Sequence, residues 1–143
     1  MVEIINAKEF TYELLVLESH LDTFGHMNNA TYLQILEEAR WDIIAGQGYS
    51  VAEIQEKKIG PVILEIQIKY LRELKLREKI TIKTKCTKIE KKVMHIFHEV
   101  FNSQNKICCT ADYIIGVFDT TTRRMIEMPP DWLKAIGVET SGE

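Results

Sequence analysis

His20-Leu-Asp-Thr-Phe-Gly-His-Met-Asn-Asn-Ala-Thr-Tyr-Leu-Gln-Ile-Leu-Glu-Glu-Ala-Arg40 is the stretch that decides how the rest of the chain is read. Its first half is a short polar loop with one carboxylate (Asp22), a glycine (Gly25), a histidine (His26) and two asparagines (Asn28, Asn29). Its second half opens directly into a long amphipathic helix. Asparagine is a preferred helix cap, because its side chain accepts a bond from an unpaired amide of the first turn. The first amides of a helix lack partners, and the macrodipole makes that end partly positive. An acid placed just ahead of such donors suits attack on a carbonyl, the acid handling the nucleophile and the amides holding the oxyanion. The same residue types are also ordinary loop chemistry.

The helix is predicted from about Asn29 to Ala45, with Gly46 and Gly48 as stop signals. Tyr32, Leu36, Ala39 and Ile43 recur at helical spacing and form one apolar stripe, widened by Leu33 and Ile44 on one side and Ile35 on the other. Gln34, Glu38 and Asp42 fall on the opposite, solvated side. Arg40 points inside the apolar arc and Glu37 at its edge. A charge there needs a partner or a cleft. Either the two pair at i, i+3, or Glu37 faces a cleft.

Outward from the helix, alternation predicts strands. Glu9–Leu17 is a first strand, and Val51–Lys58 reads as a short helix broken by Gly60-Pro61. In Val62–Tyr70, Leu64, Ile66, Ile68 and Tyr70 alternate with Glu65, Gln67 and Lys69, which implies one buried face. Lys79–Cys86, Val93–Asn102 and the apolar Ile107–Asp119 complete a meander of four strands, and Met128–Leu133 starts a short terminal helix at a proline. One helix cannot cover two sheets, so the pattern implies α+β: a single curved antiparallel sheet wrapped round one long helix.

The chain has 143 residues, 45% hydrophobic and 27% charged, with a formal charge of -3. That fits one domain over residues 1–143 and gives no nucleic-acid footprint. No apolar run reaches membrane-spanning length. No signal peptide is apparent at Met1–Asn6, and the tail Glu139–Glu143 is expected to fray. Three cysteines point to free thiols in a reducing, cytoplasmic compartment. His95 and His98 face opposite sides of a strand, and Cys108 and Cys109 diverge, so neither pair has zinc-ligand spacing. His20, Asp22 and His26 form a weak candidate metal set without a second acidic cluster. There is no nucleophile elbow and no phosphate loop.

The run Asp22-x-x-Gly25-His26-Met27-Asn28-Asn29-Ala30-x-Tyr32-Leu33-x-x-Leu36-Glu37-x-Ala39-Arg40 resembles the signature of hotdog-fold acyl-CoA thioesterases of the hydroxybenzoyl-CoA thioesterase-like family. Tyr70-Leu-Arg-x-Leu-x-Leu and Val117-Phe-Asp119-x-x-Thr-Arg-Arg near Met128-Pro129 extend the resemblance over most of the chain. His20, Glu73 and Arg77-Glu78 stand where the family often has an acid, a proline and a glycine-acid pair. The resemblance implies the hotdog fold and hydrolysis of acyl-CoA or acyl-carrier-protein thioesters in lipid metabolism. Asp22 would be base or nucleophile, Glu37 a second candidate acid and His26 a helper. Gly25, Asn28, Asn29 and Tyr32 would contact substrate. It implies a homodimer or homotetramer, no metal or redox cofactor, and no nucleic-acid or membrane partner. Coenzyme A phosphates would fall to cations such as Arg72, Lys75, Arg77, Arg123 or Arg124. A hydratase or dehydratase on the same fold and a non-catalytic acyl-CoA-binding module are the alternatives.

Overall fold

The computed structural model describes residues 3, 4 and 6–138, so the expectation for the 139–143 tail lies outside the described residues. The long helix, α1 (Asn29–Gly46), packs on one antiparallel sheet. Seven strands build that sheet: β1 (Glu3–Ile4), β2 (Glu9–Leu15), β3 (Ile59–Tyr70), β4 (Lys79–Glu90), β5 (Val93–Phe101), β6 (Ile107–Asp119) and β7 (Arg124–Ile126). Two short α-helices, α2 (Val51–Lys57) and α3 (Pro130–Ala135), and a 3-10 turn at Glu18–His20 complete the elements among the described residues. This is the hotdog arrangement that pattern and resemblance both implied.

α1 buries Tyr32, Ile35, Leu36, Ala39, Ile43 and Ile44, and Gln34, Glu38 and Asp42 are exposed, as the helical period predicts. Leu33 departs from the expectation: it is exposed, while Thr31 is buried. The sheet meets α1 with Ile80 and Ile82 of β4, Met94, Ile96 and Val100 of β5, and Tyr113 of β6, all 5% exposed or less.

The strands are not a simple meander. β4, β5 and β6 follow one another as hairpins, but β3 crosses over to pair with the far side of β6, and β1 and β2 both pair with β4. β3 therefore has one free edge. Two residues read as a break belong to it. α2 ends at Lys58 in the left-handed conformation (φ 62°), and β3 starts at once with Ile59. Gly60 lies under α2, where an added Cβ would stand 2.7 Å from Ile54 Cγ2. Pro61 pairs with Val117, and a residue without an N–H is tolerated because β3 is an edge strand. The apolar face of β3 is a correction too. Leu64, Ile66 and Tyr70, expected inside, are 38–49% exposed, because β3 is the edge of the sheet and α1 meets it at Tyr70 without covering the face.

Candidate active site

The polar loop folds into a small closed hairpin. Leu21 bridges Met27, the Asp22 amide donates to the His26 carbonyl (2.8 Å), and the Gly25 amide donates to the Asp22 carbonyl (3.1 Å). Gly25 has φ +82°, a conformation that disfavours a side chain. Asp22 Oδ1 accepts from the amides of Phe24 (2.9 Å) and His26 (3.1 Å). Oδ2 has no hydrogen-bond partner among the described residues. One carboxylate oxygen is pinned and the other is free.

The helix start lies next to this hairpin. Asn28 is the cap and accepts the Ala30 amide on Oδ1 (2.8 Å). Its carbonyl accepts Thr31 N–H (2.9 Å) and Tyr32 N–H (3.3 Å). Of the first three helical amides, Asn29 N–H alone has no acceptor among the described residues. The Asn29 carbonyl accepts from the Tyr70 hydroxyl (3.3 Å), whose ring meets Tyr32 edge-on at 5.0 Å. Burial, then nearby Cys109, pushes the Tyr32 hydroxyl up to about 12, so it stays a donor. His26 does not bond to Asp22 through its side chain. Its Nε2 lies 2.8 Å from Glu73 on the β3–β4 connection, both groups more than half exposed. A pair so exposed contributes at most about 1 kcal/mol. His20 Nδ1 accepts the Leu17 amide (2.9 Å). No group of three or more metal-type ligands forms among the described residues.

Glu37 is elsewhere. Eight residues beyond Asn29, it is about 12 Å further along the helix axis. It helps line a cavity of ≈ 120 Å³ under the second half of α1, and none of Asp22, His26, Asn28 or Asn29 lines that cavity. The walls are mostly apolar, with Trp41 and Ile44 of α1, Ile63 of β3, Ile96 of β5 and Trp132 of α3 among them. Glu37 and Arg40 do not pair. The Arg40 guanidinium lies 4.0 Å over the Tyr113 ring, and its Nη1 donates to His98 Nε2 (3.1 Å). Arginine has no acceptor, so His98 must receive on Nε2, and its Nδ1–H donates to Thr84 Oγ1 (2.8 Å). Burial, reinforced by Arg40, drops the His98 imidazolium to about 3, so the ring is neutral. Sequence reading missed His98 and Thr84. A histidine and a threonine on the inward alternation of two apolar strands were the available signal.

A family model described as the thioesterase-like superfamily matches residues 16–136. The L-carnitine dehydrogenase/betainyl-CoA thioesterase of Agrobacterium fabrum is 25% identical over 130 residues, which is 87% of this chain and 27% of that protein. The long-chain acyl-CoA thioesterase FadM of Escherichia coli is 37% identical over 73 residues, 51% of this chain and 54% of that protein. The chain thus spans about half or less of the curated relatives it matches. A Staphylococcus aureus protein solved in complex with CoA superposes with a TM-score of 0.84 at 22% identity, over 94% of this chain and 84% of that one. At that identity the superposition speaks for the fold.

Proposed function

This chain belongs to the thioesterase-like superfamily, and from that premise we propose that it hydrolyses acyl thioesters, acyl-CoA above all, at the Asp22 hairpin. The observation that carries this reading is the carboxylate with one oxygen pinned by two amides and the other free, beside a helix start with an open N–H. Asp22 takes the proton of an attacking water, or attacks the carbonyl itself to give a mixed anhydride that water then opens. Asn29 N–H receives the charge that develops on the carbonyl oxygen. The C–S bond breaks, and the proton taken from water leaves with the thiol. His26 and Gly25 shape the hairpin, Asn28 caps the helix behind the carbonyl, and Tyr32 backs the site. Glu37 is too far along α1 to share this chemistry within one protomer.

The site is proposed to form between two copies. β3 offers a free edge of 12 residues, with Ile63, Leu64, Ile66 and Tyr70 all 38–49% exposed beside it. Long apolar edges are normally paired or covered. Pairing two β3 strands continues the sheet and lets the hairpin of one copy serve the cavity of the other. Sedimentation at micromolar concentration is expected to show a dimer or tetramer. A 16.6 kDa monomer that turns over substrate contradicts this. The three cysteines are unpaired and buried, which supports a reducing, cytoplasmic location. Release of free thiol from a panel of acyl-CoAs tests the activity. Binding without release identifies a binding module, and hydration of an enoyl-CoA without thiol release identifies a hydratase.

A further inference from the structure

The cavity under α1 has donors in its lining: Arg40 and Thr84, half-buried and buried, and the exposed Lys85. Arg40 spends one N–H on His98, and no carboxylate lies within 4 Å of it among the described residues. Because His98 Nδ1–H already donates to Thr84 Oγ1, the Thr84 hydroxyl hydrogen is left to donate, and it has no acceptor among the described residues. Both Arg40 and Thr84 line the cavity, and Thr84 is 3% exposed. Glu37, the one carboxylate in the lining, is solvent-exposed and stands at the rim. A half-buried guanidinium whose partners are a neutral ring and a π-face retains its full charge. Its strongest complement is a carboxylate, which it can hold with two parallel bonds.

Size narrows the ligand further. An apolar cavity of about 150 Å³ holds benzene, so ≈ 120 Å³ takes a compact tail rather than a long folded chain. We infer that this cavity is the subsite for the distal end of the acyl group, and that Arg40 and Thr84 select tails ending in a carboxylate over tails ending in a methyl. The substrate class is then the mono-CoA thioester of a dicarboxylic acid. This rests on the hydrolase reading above.

The test pairs methyl-ended and carboxyl-ended acyl-CoAs of equal length, from hexanoyl and adipoyl up to dodecanoyl and dodecanedioyl. An ammonium-ended 6-aminohexanoyl-CoA is added. At the best length the carboxyl-ended member is expected to have at least about a tenfold higher kcat/KM, equivalent to about 1.4 kcal/mol. The ammonium-ended member is expected to be the worst. Arg40→Met should bring the ratio near one. Thr84→Val, which keeps the shape and removes one donor, should lower it several-fold. A merely structural role would depress both members equally and leave the ratio standing, so the ratio is decisive even if Arg40→Met folds poorly. Equal or better turnover of the methyl-ended member at every length overturns the inference, and so does preference for the ammonium. If no thioester is cleaved, the hydrolase reading fails instead. Calorimetry with free hexanoate against 1-hexanol then decides the subsite alone, tighter binding of hexanoate that Arg40→Met abolishes supporting it and equal binding overturning it.

Discussion

The two ends of α1 hold similar polar residues by different means. At the N-terminal end, Asp22, Gly25, His26 and Asn28 are exposed, and the bonds that place Asp22 run within residues 20–28. At the other end, Arg40 bonds to a histidine 58 positions away, and that histidine bonds to a threonine on a neighbouring strand. The placement of Asp22 at the first end is set by local chain geometry once the hairpin closes. The second exists only when helix and sheet have packed. The difference teaches where to look for chemistry and where for selection. The exposed end presents a carboxylate oxygen and an amide to whatever arrives. The packed end presents a shaped, mostly apolar space with donors in its lining.

Leu36 lies between the two ends and is fully buried. Leu36→Ala should cost about 2–5 kcal/mol, the usual range for a buried leucine, and denaturant unfolding measures it. A loss under about 0.5 kcal/mol is surface behaviour and would mean that α1 does not couple the ends through its buried stripe.

His98 should make the packed end sensitive to acid and the exposed end indifferent. The ring normally titrates near 6.5 but in the fold only at about 3. Between those values the unfolded chain binds a proton that the folded chain refuses, so stability rises with pH across that window. The contribution is intact above about pH 6.5 and lost progressively as pH falls toward 3. Unfolding free energies of the wild type and His98→Gln, compared at several pH values, should differ in slope by up to about 1.4 kcal/mol per pH unit. Parallel curves would show that His98 is not held neutral by the packed end.

The smallest effect belongs to the exposed end. Asn28→Ala removes the side-chain cap on Ala30 N–H and should cost about 1 kcal/mol. It should also leave the acid slope of the packed end unchanged, and a changed slope would show that the ends are energetically linked.

This contrast also explains what the sequence disclosed. α1, its cap and its solvated face were legible because they rest on short-range spacing, and so was the inward set of β6 from Cys109 to Val117. The partner of Arg40 was not. Charge at an apolar position signals a need, but the ring that meets it comes from β5 through a long-range pairing. β3 misled for a related reason. Alternation of Leu64, Ile66, Ile68 and Tyr70 gives the face but not the cover, and β3 lies at the edge of the sheet, where α1 covers only part of it. The free Asp22 oxygen was hidden as well, since only the folded hairpin shows which oxygen the amides of Phe24 and His26 take.

The most direct test compares the two carboxylates, Asp22→Asn beside Glu37→Gln, as kcat for one acyl-CoA substrate, with circular dichroism confirming that both variants fold. Asp22→Asn keeps the two accepted amide bonds and removes the charge. kcat should fall at least about 10²-fold with little change in KM, because the group acts in the transition state. Glu37→Gln should retain more than about a tenth of the wild-type kcat, well above the loss of a general base. A folded Asp22→Asn that keeps more than about a tenth of kcat, beside a Glu37→Gln that is dead, would move the chemistry to the packed end and contradict this account.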